Sequence, residues 1–177
     1  NNQIKAYDIK LHSVDTKAEI VARANELDIR IKFSLQELVR DSDLIFSTVT
    51  ADQAFKVARE SCQFIKKGTY FFDLNSCAPS SKQKSRESIE PKGGRYVDVA
   101  VMAPVYAKKH LVPLIISGDK AHHAHAILEK LPMDVKIIEG PVGKASSIKM
   151  VRSILVKGLE ALTAECALAA VEADVLD

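Results

Sequence analysis

Lys149 is placed where a lysine can do acid–base chemistry. It stands in the run Glu139-Gly140-Pro141-Val142-Gly143-Lys144-Ala145-Ser146-Ser147-Ile148-Lys149-Met150-Val151-Arg152-Ser153. A short apolar strand leads into this glycine-containing loop, and the loop opens a long helix. An ammonium in the first turns of such a helix loses its proton near neutral pH if it is desolvated or faces another positive charge. It can then serve as a general acid or base. The plain alternative for Lys149 taken alone is a solvated helix lysine. Other reactive residue types offer less. His122, His123 and His125 cluster without a supporting carboxylate or cysteine pattern and read as a surface helix, so no metal site is expected there. Cys77 is flanked by Ser76 and by Ser80 and Ser81, yet no histidine partner for a nucleophile is recognisable. Lys108-Lys109-His110 reads as a solvated loop.

The elements that must position Lys149 alternate in type. Strands are expected over residues 4–8, 29–33, 43–49, 69–74, 95–101, 114–117 and 135–138. Helices are expected over 15–27, 52–65, 80–89 and 119–131. A short helix is expected after Ser34, where Glu37 completes a capping box, and the helix over 52–65 has a normal stop at Lys66-Lys67-Gly68. This alternation predicts an α/β fold with a mostly parallel sheet covered by helices on both faces. From about Lys144 the pattern becomes one helix running nearly to the end, roughly 45 Å at about 1.5 Å per residue. Its apolar positions, among them Ile148, Val151, Ile154, Leu155, Leu159 and Leu162, cover more than one stripe. Such a helix is buried on most sides, so further sequence or a partner chain must cover it, and self-association as a dimer is the expectation.

Bulk properties narrow the function classes. The 177 residues are 47% hydrophobic with a formal net charge of +2, enough for a core and too balanced for a nucleic-acid surface. Cys62, Cys77 and Cys166 are far apart and form no CxxC pair, which argues against a disulfide framework. The first residues carry no signal-peptide pattern. The most apolar stretch is interrupted by Glu160, Glu165 and Glu172, which is wrong for an ordinary membrane span. A soluble cytoplasmic protein with neither nucleic-acid nor membrane partners is expected.

Doubly wound sheets that bind dinucleotides place a glycine-rich turn after the first strand and an acidic residue about 20 residues later, on the ribose. Asp8 suits that acidic role, or is an ordinary strand-end aspartate. No GxGxxG occurs in the sequence. The expectation is therefore a partial, Rossmann-like sheet that lacks its first strand and glycine loop.

Three segments, in order, resemble the β-hydroxyacid dehydrogenase family, which includes 3-hydroxyisobutyrate dehydrogenase and relatives of 6-phosphogluconate dehydrogenase. Asp73-Leu74-Asn75-Ser76-Cys77-Ala78-Pro79 looks like the family's D-x-S-T-x-x-P substrate loop. Gly94-Arg95-Tyr96-Val97-Asp98-Val99-Ala100-Val101-Met102-Ala103-Pro104 is similar to the strand leading into D-A-P-V-S-G-G. The loop and helix of Lys149 resemble G-x-G-x-x-x-K-x-x-x-N. The resemblance implies an NAD(P)-dependent oxidoreductase acting on the hydroxyl of a small hydroxy acid. It implies Lys149 as general acid/base, with Asn75, Ser76, Met102, Ala103 and Ser153 around the substrate. Thr48, Val49 and Thr50 would lie along the cofactor with Asp8, and decarboxylation could follow hydride transfer. Of NAD and NADP, Asp8 favours NAD because a carboxylate repels a 2′-phosphate, an effect that Lys10 partly offsets.

The resemblance also implies a division into a nucleotide-binding unit at residues 1–142 and a long helix at 143–177 that begins an all-helical domain, so the chain would be truncated at both ends. The departures fall on the substrate side. Met102-Ala103-Pro104 replaces Ser-Gly-Gly, and proline has no N–H to donate. Ser153 replaces an asparagine one helical turn after the lysine. These changes fit a divergent branch of the family. An alternative from another class is a non-catalytic dehydrogenase-like module used for dimerisation or protein binding.

Overall fold

The structure is a computed structural model that describes residues 3–175. Strand β1 (Lys5–Ala6) pairs in parallel with β2 (Arg30–Ile31), with α1 (Val14–Glu26) crossing between them. The main sheet has five strands in the order β3 (Leu44–Ser47), β4 (Tyr70–Asp73), β5 (Arg95–Val101), β6 (Leu114–Ser117) and β7 (Val135–Ile137). All pairings in it are parallel except β5 with β6. The helices are α2 (Leu35–Arg40), α3 (Ala54–Ser61), α4 (Pro79–Ile89), α5 (Val105–Lys108), α6 (Ala121–Glu129) and α7 (Lys144–Glu172). In the common doubly wound order 3-2-1-4-5-6, β2-β1 and β3-β4-β5 correspond to strands 3-2 and 4-5-6. Strand 1 of that order has no counterpart among the described residues.

The sheet owes its place to runs of apolar residues buried on both faces, the usual signature of parallel strands. In β4, Phe71 and Phe72 are both fully buried and point to opposite faces. Phe72 joins Val97, Val99, Leu114, Ile116 and the inner side of α6. Phe71 joins Tyr96, Val39 of α2, Ala58 of α3 and Ile89 of α4. Burying side chains of this size contributes about 1.5–3 kcal/mol each. The two layers fix the sheet's register and hence the loops at its carboxyl edge.

Local signals behave as their chemistry dictates. Ser34 accepts from the Glu37 amide at 3.1 Å and starts α2. Lys5 and Lys32 both reach Asp41 at the end of α2 and tie the small sheet to the large one. Strands over 95–101 and 114–117 have the expected bounds, whereas β1, β2 and β3 are shorter than the apolar runs that announce them. Helix α7 has 29 residues. It buries its start, with Ala145 at 0% exposure, while Ile154, Leu155, Leu162 and Leu168 are more than 60% exposed. Among the described residues, no helix is long and apolar enough to cross a membrane.

Candidate functional site

Strands β3, β4 and β5 run parallel, so the segments leaving their carboxyl ends gather on one edge of the sheet, where ligands of open α/β sheets bind. Those segments are Thr48-Val49-Thr50 after β3, Asn75-Ser76 after β4 and Met102-Ala103 after β5. Helix α7 enters beside them. It begins at the level of Asp98 in the middle of β5, where the Asp98 carboxylate accepts from the Gly143 and Ser146 amides at 3.0 and 3.1 Å and from the Ser146 hydroxyl at 2.6 Å. Gly143 sits there at φ +100°, a conformation that disfavours side chains. From Gly143 to Lys149 the helix rises about 9 Å. From Asp98 to Val101 the strand rises about 10 Å. Lys149 is thus carried to the level at which β5 ends.

There the Lys149 ammonium donates to the Ser76 hydroxyl at 2.7 Å. Burial, then the positive charges of Lys82 and Lys157, hold Lys149 below the usual lysine range. Lys149 borders three adjoining hollows of about 700, 350 and 260 Å³. Thr48, Val49, Thr50, Asn75, Ser76 and Ala103 line the largest. Met102 and Ser153 line the second, and Ser153 also lines the third. The Met102 carbonyl accepts from Arg152 at 2.5 Å, which holds the β5 loop against α7. The structure thus brings together every residue expected around the site except Asp8. The Asp8 side chain follows β1, is exposed, and accepts from the Lys10 amide at 2.9 Å.

The residues expected to be bland also have defined surroundings. Lys108, Lys109 and His110 are exposed, as a solvated loop requires, and Lys109 and His110 border the largest hollow. Burial pushes the Cys77 thiol up, the wrong direction for a nucleophile. His122 pairs with Glu139 at 3.0 Å, and His125 meets Glu129 and the Val135 carbonyl.

Beneath the site lies a buried polar cluster that the sequence reading missed. Lys82, at 0% exposure, donates to the Asp73 carbonyl at 2.5 Å and to its carboxylate at 3.0 Å, and lies 3.6 Å from the Asp98 carboxylate. Asp73 also accepts from the Asn75 amide, the Asn75 side chain and the Tyr96 hydroxyl. Burial and the adjoining Asp73 push the Tyr96 phenol far above its ordinary range, so it stays a donor. Ser117 donates to Asp98 and accepts from the Ala145 amide. On α4, Lys82 shares the buried face with Ser85 and Ile89, which fall at helical spacing.

Comparison with known proteins gives a consistent result. The sequence profile of the NAD binding domain of 6-phosphogluconate dehydrogenase matches residues 1–138. An uncharacterized 28.5 kDa protein of Methanothermus fervidus is 33% identical over 142 residues, which is 80% of this chain and 53% of that protein. A conserved hypothetical protein from Sinorhizobium meliloti 1021 superposes with a TM-score of 0.83 at 30% identity, covering 98% of this chain and 57% of that one. A conserved protein of unknown function, described as structurally similar to 3-hydroxyacid dehydrogenases, superposes with a TM-score of 0.76 at 25% identity, covering 98% of this chain and 62% of that one. The chain therefore spans about half the length of the curated relative it matches.

Proposed function

Because the chain belongs to the family of the NAD binding domain of 6-phosphogluconate dehydrogenase, we propose that it is the cofactor-binding portion of an NAD(P)-dependent oxidoreductase that acts on a small hydroxy acid. The observation that carries this reading is the contact of Lys149 with Ser76 at 2.7 Å, at the carboxyl edge of the sheet.

A nicotinamide cofactor fits the residues present. The largest hollow is about 700 Å³, with apolar walls from Val49, Leu74, Val101 and Leu114 and a polar rim from Thr48, Thr50 and Asn75. Those are the surfaces a flat ring with a carboxamide requires. Thr48, Val49 and Thr50 would hold the cofactor there, and Asp8, after β1, would face its ribose. When bound, the nicotinamide supplies the acceptor for hydride.

The chain's own residues do the rest. Asn75 and Ser76 hold the substrate against the start of α7, with Met102, Ala103 and Ser153 bounding its other side. Lys149 in its neutral form takes the proton from the substrate hydroxyl at Nζ. Its depressed basicity makes that form accessible nearer neutral pH. If the hydroxyl is β to the carboxylate, loss of carbon dioxide could follow, with Lys149 returning a proton. Helix α7 begins a second, helical unit, and its exposed apolar face pairs two copies of the chain.

Calorimetric titration of the full-length protein with NAD and NADP tests the cofactor. A panel of small hydroxy acids, followed by nicotinamide reduction, tests the reaction. Binding of NAD tighter than NADP, with reduction by at least one β-hydroxy acid, is expected. Failure to bind either dinucleotide would end this reading.

A further inference from the structure

We propose that Lys82 is the positioning residue of this site: its buried ammonium joins the turn that carries Asn75 and Ser76 to the Asp98-capped start of α7, and so fixes where Lys149 meets Ser76. The inference rests on the reading of Lys149 given above and goes one layer beneath it. Two strands and two helices are joined through Lys82. From α4 it reaches the carbonyl and carboxylate of Asp73 at the end of β4, the Val99 carbonyl on β5 at 3.4 Å, and the Asp98 carboxylate at 3.6 Å. Asp73 orients Asn75 through two hydrogen bonds of 3.0 and 2.8 Å. Asp98 anchors the first turn of α7. Both arms of the site therefore depend on the same cation. A buried lysine between two carboxylates is costly to assemble and costly to break, and hydrophobic packing alone would hold α4 on the sheet without it.

Lys82 also acts on Lys149 at a distance. The cations around Lys149 are Lys82 on α4, Arg152 and Lys157 on α7, and Lys109 across the hollow, where the His110 imidazole also stands. The negative ones are Asp73 and Asp98, both engaged with Lys82, and Glu160 further along α7. The Cys77 thiol is kept neutral by burial. Lys82 is one of the two charges that favour the neutral form of Lys149, so removing it must make Lys149 more basic.

The test is competitive acetylation of the full-length protein with acetic anhydride across a pH series, reading the labelling midpoint of Lys149 by mass spectrometry. In Lys82→Met the midpoint moves to higher pH, and in Lys82→Arg it stays at the wild-type position. If Lys82→Met does not fold, Lys82→Gln, which removes the charge but keeps an N–H donor for Asp73, takes its place with a shift in the same direction. A folded variant lacking the Lys82 charge with an unchanged midpoint would overturn the inference, as would an equal shift in Lys82→Arg. A purely structural role would lower stability without moving the midpoint. The labelling reads Lys149 whether or not it catalyses. A shift alongside an active Lys149→Ala enzyme would therefore sink the functional reading and leave this inference standing.

Discussion

Replacing Asp98 by alanine should loosen the start of α7 more than any surface change can. The Asp98 carboxylate is fully buried and accepts four hydrogen bonds, from the Gly143 and Ser146 amides and the Ser117 and Ser146 hydroxyls, at 2.6–3.1 Å. Each helix-start N–H left buried without an acceptor costs about 1–3 kcal/mol. Removing one partner of a buried ion pair costs about 3–5 kcal/mol, but Lys82 keeps Asp73 at 3.0 Å, which holds that contribution to its lower end. These effects share the same contacts and do not add in full, so a loss of about 3–5 kcal/mol is expected. Domain stabilities are typically about 5–15 kcal/mol. With a urea slope of about 2 kcal/mol per M, the midpoint should fall by roughly 1.5–2.5 M. Hydrogen exchange over residues 140–150 locates the effect, because the Gly143 and Ser146 amides lose protection first. Glu19→Ala is the matched control, an exposed carboxylate on α1, and it should behave like wild type. If Asp98→Ala unfolds at the control's midpoint with unchanged protection at Gly143 and Ser146, the buried anchor does not hold α7.

Tyr96→Phe removes a 2.6 Å hydrogen bond to the Asp73 carboxylate in a fully buried setting; urea melts should show a loss of about 1.5–3 kcal/mol, and no change would mean that the phenol is bystander packing. The oxidation rate should fall as pH drops, because protonation removes the neutral Lys149 needed as base, and the midpoint should lie below the usual lysine range since burial and two lysines depress it. Carbonyl reduction should show the opposite slope, and a flat profile in both directions would speak against Lys149. Light scattering of the full-length protein should report a dimer, with Leu155→Asp and Leu159→Asp shifting it toward monomer through the exposed face of α7; a monomer at every concentration would refute pairing through that face.

The fold was largely legible because strand and helix periodicities differ and the apolar runs are strong. Asn75, Ser76 and Lys149 were legible as motifs whose order along the chain matches their meeting at one edge of the sheet. Lys82 was not, because a charged residue on a polar helix reads as solvated until the two carboxylates it faces, Asp73 and Asp98, are brought together by strand pairing between β4 and β5. Their register, Asp73 opposite Asp98, is a long-range fact that no local window contains. The place of Lys109 and His110 beside the largest hollow is long-range in the same way. The β5–β6 connection crosses the site only because β6 turns back antiparallel to β5. The shortening of β1 and β2 was also hidden, since an apolar run does not reveal how many strands its sheet has beside it.

The central claim is that Lys149 carries the proton. It is tested most directly by Lys149→Ala in the full-length protein, with the same hydroxy-acid panel and with dinucleotide affinity measured alongside. The account predicts a loss of kcat of about 10²–10⁴-fold with dinucleotide affinity close to wild type. Near-normal turnover in that variant would contradict it.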